Sequence, residues 1–514
     1  MSVSEEDRAI TARLKRLTVS LWFPAAVIFL CFGVVAICAV QRQYGLGMPV
    51  PRNTILTTGG FLEVAGRMLG ISSLSRQQLT VLYMSVLAVM YAAYVWALVL
   101  IARRGKRVRG AFIIGTSMAF CLWVLFVPPI LAQDLFNYAA YGKAISVYGK
   151  NPYLAVPRDF PREAVLHYIG WTHTPSVYGP LFNYMAAAVT AIAGKSASTN
   201  SFAFKLLAFG FFSGSLFIIE DLGRRLVPDK QDFVLLAAAW NPLVIIHLVG
   251  GGHNDTIMVF LVLGGFLLYR KGYPVLAIAS TMLAGMIKST ALFVLIPMLV
   301  LFLRQNAMWP LRKYVQAALT AVAIPLVLYL PTWPGLKGFK TILSVGTEYS
   351  GISVPRFFRE GVRSAMRGLG VASSSAGSFS YSATRTFFMF VFLALLVLFC
   401  WRVRDVRSLA FYSGAIMFTF MFTTSWLMPW YAGFMMILVA LSGSYLWTGT
   451  GVAVTFAMAW YGRGINGWGN NVFPILMLIT AFALIVGLVL RGRDRCQPAS
   501  PASVKRIRAA GQTS

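Results

Sequence analysis

Only 16 of the 514 residues are acidic. A charge near a membrane core is costly, so each carboxylate beside an apolar run asks for a reason. Asp134 stands in the run Pro128-Pro129-Ile130-Leu131-Ala132-Gln133-Asp134-Leu135-Phe136-Asn137-Tyr138. A carboxylate there can act as a general base, taking the proton of a hydroxyl that attacks an activated donor. A helix cap or a turn is the simpler alternative. Asp255 ends the sequence Gly250-Gly251-Gly252-His253-Asn254-Asp255. The glycines allow close backbone approach, and His253, Asn254 and Asp255 offer a ring nitrogen, an amide and a carboxylate within three residues. The alternative is a flexible turn with Asp255 as N-cap of the next helix. His253 and Asp255 could ligate a divalent metal, but two ligands do not make a site, so neither a metal nor another cofactor is assigned. Lys288, in Met286-Ile287-Lys288-Ser289-Thr290, has no acid beside it in sequence. It suits a phosphate as a point charge, or it snorkels to an interface.

The elements that must position these residues are membrane helices. The chain is 58% hydrophobic and 12% charged, yet carries a formal net charge of +29. A soluble domain has about 25% charged residues, and a nucleic-acid binder concentrates its charge in a basic domain. Few charges, mostly basic, fit a polytopic membrane protein with basic residues in short cytosolic loops. We count about fourteen apolar stretches long enough, or nearly so, to cross a bilayer. They run from 19–40 to 472–490, leaving a basic N-terminus (1–18) and a basic tail (491–514) in the cytosol. Three long loops, 41–78, 132–201 and 332–383, then lie outside. The stretch 181–193 is read as a juxtamembrane helix on the outer face, because counting it as a span would invert every later loop and place more basic residues outside. On this topology Asp134, Asp255 and Lys288 share the outer side.

Other features are less specific. Asn241-Pro242 inside an apolar run predicts a kinked helix. Trp426, Pro429, Trp430 and Tyr431 lie at an outer boundary, where an aromatic belt is the ordinary explanation and stacking on a sugar ring the sharper one. Arg356, Arg359, Arg363 and Arg367 recur at helical spacing, to hold lipid phosphates or to face solvent. Tyr138, Asn151 and Tyr178 are candidate substrate contacts; His167 and His173 are ambiguous. The five cysteines lie mostly in apolar runs and suggest no disulfide framework. The glycine-rich phosphate loops and the Asp-x-Asp pair of soluble nucleotide-sugar enzymes are missing from the sequence.

The Asp134 run, Asn151-Pro152-Tyr153, Tyr178-Gly179-Pro180-Leu181, Trp240-Asn241-Pro242-Leu243, the triple-glycine His-Asn-Asp turn and Lys288-Ser289-Thr290 together resemble the bacterial polyprenol-phosphomannose-dependent α-1,6-mannopyranosyltransferases. These are integral-membrane glycosyltransferases of the GT-C fold, and the resemblance extends from the second apolar stretch to the last. It implies a polyprenyl-phosphate mannose donor, a mannan or lipoglycan acceptor and inversion to an α-1,6 linkage. It also implies roles: Asp134 as the base, Asp255 orienting the acceptor and Lys288 stabilising the phosphate leaving group. His253, Asn254, Tyr138, Tyr178, Asn151 and Trp430 would complete the substrate site. GT-C enzymes commonly carry the acidic residue after the first span; here it follows the third, so an extra helix pair precedes it.

Two other readings remain open. A transporter or flippase of lipid-linked sugars predicts functional residues near the bilayer midplane, often with inverted repeats. A GT-C transferase could also use another polyprenyl-phosphate sugar. The expected location is the bacterial cytoplasmic membrane, both termini cytosolic and the active site outward, with membrane lipids as further partners and no nucleic acid.

Overall fold

A computed structural model describes residues 5–40, 61–104, 108–305, 309–335, 353–460 and 479. The expected tail, and all but one residue of the stretch 472–490, lie outside them. Among the described residues the chain is helical throughout, with no strand. In order the helices are α1 (Glu5–Val40), α2 (Phe61–Met68), α3 (Arg76–Arg104), α4 (Gly110–Leu125), α5 (Asp134–Ser146), α6 (Pro180–Ala193), α7 (Ala197–Leu226) and α8 (Gln231–Ala239). There follow α9 (Asp255–Arg270), α10 (Pro274–Gly285), α11 (Leu292–Arg304), α12 (Leu311–Tyr329), α13 (Val354–Gly368), α14 (Ser373–Arg402), α15 (Val406–Thr423), α16 (Tyr431–Ala440) and α17 (Tyr445–Trp460).

Six of these helices are long and apolar enough to cross a membrane, or seven if the bent pair around residue 240 counts as one span. Five more apolar helices are 10–17 residues long, among them Gly110–Leu125, Pro274–Gly285 and Tyr431–Ala440. The expectation of about fourteen spans therefore divides into full-length helices and short ones. Breaks at polar turns make the difference, as at Lys288 between α10 and α11. The segments expected as outer loops also hold helices: α2 lies within 41–78, and α13 with the first turns of α14 within 332–383. The segment 181–193 is helical, as α6.

The centre is α8 and its continuation. Between Phe233 and Val249 every apolar side chain is buried. Pro242 has no N–H and its ring crowds the preceding turn, so the helix breaks there. A π-helix, Val244–Gly250, resumes after a bend of 57°. The kink predicted at Asn241-Pro242 is present. Backbone carbonyls freed inside apolar packing need partners. Tyr94 Oη donates to the carbonyl of Ala237 at 2.6 Å, and Ser117 Oγ to that of Ala239 at 2.7 Å. Asn241 is held at both ends: Oδ1 accepts from the amide of Val244, and Nδ2 donates to Thr455 of α17.

Around this centre lie α4, α7, α9 and α16. At the periphery α12 and α14 bury few of their apolar side chains, and Leu319, Val322, Phe390 and Val397 are exposed. That is the pattern expected of a face turned to lipid.

Candidate active site

Two chain segments bring their carboxylates to one place. Asp134 is the first residue of α5, where the partial positive charge of a helix N-terminus favours an anion. The segment leading to it is constrained. Pro128 and Pro129 cannot donate, and Leu131 sits at φ 63°, a left-handed conformation uncommon for a residue with a side chain. The amide of Ile130 donates to the carbonyl of Gly250, stitching this segment to the triple-glycine turn.

That turn has a physical reason for each of its last two glycines. A Cβ on Gly251 would lie 2.5 Å from the carbonyl oxygen of His247 and 2.8–3.0 Å from ring atoms of His253. Gly252 has φ +65°, with Leu135 and Lys205 against it. The turn thus folds back tightly and presents His253, Asn254 and Asp255, all buried. The His253 ring stacks on Trp430 with centroids 4.2 Å apart. Its Nδ1 is 3.6 Å from Asp134 Oδ2 and 3.5 Å from Tyr138 Oη. These are near contacts rather than closed hydrogen bonds. Burial, then the nearby Lys288, hold the imidazole pKa well below its ordinary value, so the ring is neutral. His253 Nε2 and Asn254 Nδ2 are buried without a partner.

Asp255 opens α9 and pairs with Lys288 at 2.7 Å. The Lys288 ammonium also lies 5.1 Å from the centre of the Tyr431 ring, within cation–π range. Lys288 and Asp255 are both close enough to Asp134 to act on it electrostatically. Burial pushes the Asp134 carboxyl up to about 6; Lys288 pulls it down and Asp255 pushes it up. A fifth of the Asp134 side chain stays exposed, so the group is both raised and reachable. Among the described residues no three His, Cys, Asp or Glu side chains converge to hold a metal ion.

The turn Tyr178-Gly179-Pro180 docks directly beneath Lys288. The amide of Gly179 donates to the carbonyl of Ile287, and that of Phe182 to the carbonyl of Met286. A Cβ on Gly179 would sit 2.0 Å from the Met286 oxygen, so only glycine permits this seam. Tyr178 and Phe182 pack edge-on against the Tyr138 ring, and Tyr138 Oη donates to Asn254 Oδ1 at 3.4 Å.

Eight of the nine candidate residues therefore belong to one cluster: Asp134, Tyr138, Tyr178, His253, Asn254, Asp255, Lys288 and Trp430. The ninth, Asn151, is engaged elsewhere. Its Nδ2 donates to the carbonyls of Thr332 and Trp333, and its Oδ1 accepts from the amide of Tyr153. Tyr153 in turn donates to the carbonyl of Tyr178. The Asn-Pro-Tyr motif is thus a clasp that supports the Tyr178 turn. Trp430, where an aromatic belt was the ordinary explanation, is instead the lid of His253.

Sequence reasoning missed two residues. Tyr431 reads in sequence as part of an aromatic belt, and its ring faces Lys288. Lys205, buried on α7, donates to the carbonyl of Val127 at 2.5 Å and packs under Gly252. A single lysine within Ser201–Leu207, otherwise uncharged, was the available signal.

Comparison with known proteins identifies relatives of this chain. The family model described as alpha-(1->6)-mannopyranosyltransferase, N-terminal domain, matches residues 31–305, which contain Asp134, the triple-glycine turn and Lys288. The chain is 30% identical over 225 residues to alpha-(1->6)-mannopyranosyltransferase A of Mycobacterium tuberculosis, covering 43% of each chain. It is 28% identical over 177 residues to the A protein of Corynebacterium glutamicum, covering 34% of this chain and 36% of that one. It is 28% identical over 178 residues to the B protein of the same organism, covering 33% and 29%. These matches span less than half the length of each relative. The family match itself covers more than half of this chain, and on that ground the protein belongs to the alpha-(1->6)-mannopyranosyltransferase family.

Proposed function

We propose that the protein transfers a mannosyl residue from a polyprenyl-phosphate donor to a mannan or lipoglycan acceptor, forming an α-1,6 linkage with inversion. The observation that carries this reading is the pairing of two polar contacts in one turn. His253 faces Asp134, and two residues later Asp255 binds Lys288. A base and a cation are thus held side by side. The relatives' names supply the sugar and the linkage.

In the step proposed, an acceptor hydroxyl oxygen attacks the anomeric carbon of the donor and the bond from that carbon to the phosphate oxygen breaks. Asp134 takes the hydroxyl proton, and the departing polyprenyl phosphate gains negative charge. Lys288 has three N–H donors. One faces Asp255, and the others are available to the phosphate, where a preorganised cation is most effective as charge develops. Asp255, nearly inaccessible behind Lys288, serves to hold that ammonium rather than to touch the acceptor. Neutral His253, fixed by Trp430, orients Asp134. Catalysis would occur on the outer face of the bacterial cytoplasmic membrane, where polyprenyl-linked sugars meet envelope acceptors.

The test is a turnover assay with the purified full chain, synthetic polyprenyl-phosphate mannose and an α-1,6-oligomannoside. Extension by one mannose, with α linkage established by NMR, is expected. Turnover with another polyprenyl-phosphate sugar but not mannose would overturn the sugar assignment. Absence of turnover with every such donor would overturn the reaction class.

A further inference from the structure

The helix pair α13–α14 stands apart from the proposed active site and carries a concentration of arginine. On α13, Arg356, Arg359, Arg363 and Arg367 fall within an arc of about 80° at 100° per residue, against a single acid, Glu360, which Arg356 engages at 3.0 Å. The opposite face is apolar, and through it α13 packs on α14. Phe358 stacks on Phe387 with centroids 5.1 Å apart and meets Phe388 edge-on. The guanidinium of Arg359 lies 5.5 Å over the ring of Tyr381. Residues 369–372 join the two helices, so α13 runs back antiparallel along the first half of α14.

The sequence of α14 changes character at one point along this contact. From Ser373 to Arg385 it is rich in serine and threonine; from Thr386 to Trp401 it carries no charge. Its exposed large side chains after that point are Phe387, Met389, Phe390, Leu393, Val397 and Trp401. A stripe of large apolar side chains on a helix that can cross the membrane faces lipid. The bilayer surface therefore meets this helix near residue 386. Phe358, the fifth residue of α13, lies at that level, because it touches Phe387 and Phe388.

We infer that Arg356, Arg359 and Arg385 form a cationic collar that binds the phosphates of anionic phospholipids at the membrane surface. Arg363 and Arg367 stand about 6 and 12 Å farther out at 1.5 Å per residue. The headgroup layer is only about 5–8 Å thick, so Arg363 reaches its edge and Arg367 clears it. A bilayer surface fits this arrangement better than a single soluble phosphate. The backbone positions of the three arginines fall within about 6 Å of one depth at 1.5 Å per residue, with Phe387 beside them to enter the acyl region. Guanidinium groups suit phosphate because they donate bidentately.

The experiment uses the full chain in nanodiscs of mixed phosphatidylglycerol and phosphatidylcholine, with native mass spectrometry of the lipids retained on release. The wild-type protein is expected to enrich phosphatidylglycerol over its share of the disc, less so when reconstituted at high salt. Each surface arginine should contribute roughly fivefold in preference. The triple variant Arg356→Gln/Arg359→Gln/Arg385→Gln should lose the enrichment, and Arg367→Gln should keep it. Equal retention of both lipids by the wild type would overturn the proposal without recourse to any variant. Equal loss in Arg367→Gln and in the triple variant would overturn the collar in favour of diffuse charge.

Discussion

Residues 231–270 and the outer pair α12 and α14 are similar in hydropathy and opposite in construction. In the first, residues 232–259 are buried without a break, and Asn241, His253, Asn254 and Asp255 lie among apolar neighbours at less than 3% exposure. In the second, only 11% of the α12 window and 22% of the α14 window is buried, and α14 carries no charge between Thr386 and Trp401. The difference shows where this fold puts its polar groups. A buried carboxylate or imidazole is tolerated only where other elements supply partners. The short, broken helices bring the charged groups of the site together, because their ends carry unsatisfied backbone groups and sharp turns; long helices add single partners, such as Tyr94 of α3 and Lys205 of α7. Long uninterrupted helices hold the assembly in lipid and present little chemistry.

That contrast can be broken by experiment. The largest effect should come from Asp134→Asn, which keeps shape and removes the base; a loss of at least about 10²-fold in rate is expected. A near-normal rate in the transfer assay would take Asp134 out of that role. The wild-type rate should also fall as pH drops below about 6, because Asp134 must be ionised to accept a proton and its carboxyl is raised to that value. A flat profile between pH 5 and 7 would count against the same assignment. Lys288→Ala comes next. A lost hydrogen bond to a charged group is about 1.5–3 kcal/mol, roughly tenfold to a hundredfold in kcat/KM. Gly179→Ala should follow, since its Cβ would force the Met286 backbone aside. A cost of about 1–3 kcal/mol in stability is expected, read by thermal denaturation in detergent, with a lowered rate as Lys288 shifts. Smallest of all is Val322→Ala on α12, at 64% exposure, expected within about 0.5 kcal/mol and without effect on turnover. A strong effect there would erase the distinction between the two regions.

Much of the site was legible because chemistry and local geometry coincide in sequence. The triple-glycine turn announces itself, since three glycines before His253 have little purpose other than close approach. Asp134 and Lys288 stand out as charges beside apolar runs. The kink at Asn241-Pro242 follows from proline alone. What sequence could not give is pairing across distance. Lys288 has no nearby acid along the chain, and its partner is Asp255, 33 residues earlier. Asn151 resembles a substrate contact in type but is taken by carbonyls 181 and 182 residues away. The pairing of buried Lys143 with Glu163 was equally hidden, because either residue alone reads as surface charge. The number of spans was blurred for a related reason: hydropathy measures how apolar a stretch is, whereas a helix ends where a polar turn finds a partner.

The capped break in the central helix also bears on biosynthesis. The carbonyls of Ala237 and Ala239 are met by Tyr94 of α3 and Ser117 of α4, and both donors precede the break in the chain. A nascent α8 leaving the ribosome would find them already made, so its exposed carbonyls need not linger in lipid, where each would cost several kcal/mol. Asn241 must wait for Thr455, more than two hundred residues later. The order of synthesis therefore secures the upstream half of the bend first and locks its side-chain anchor only when α17 arrives.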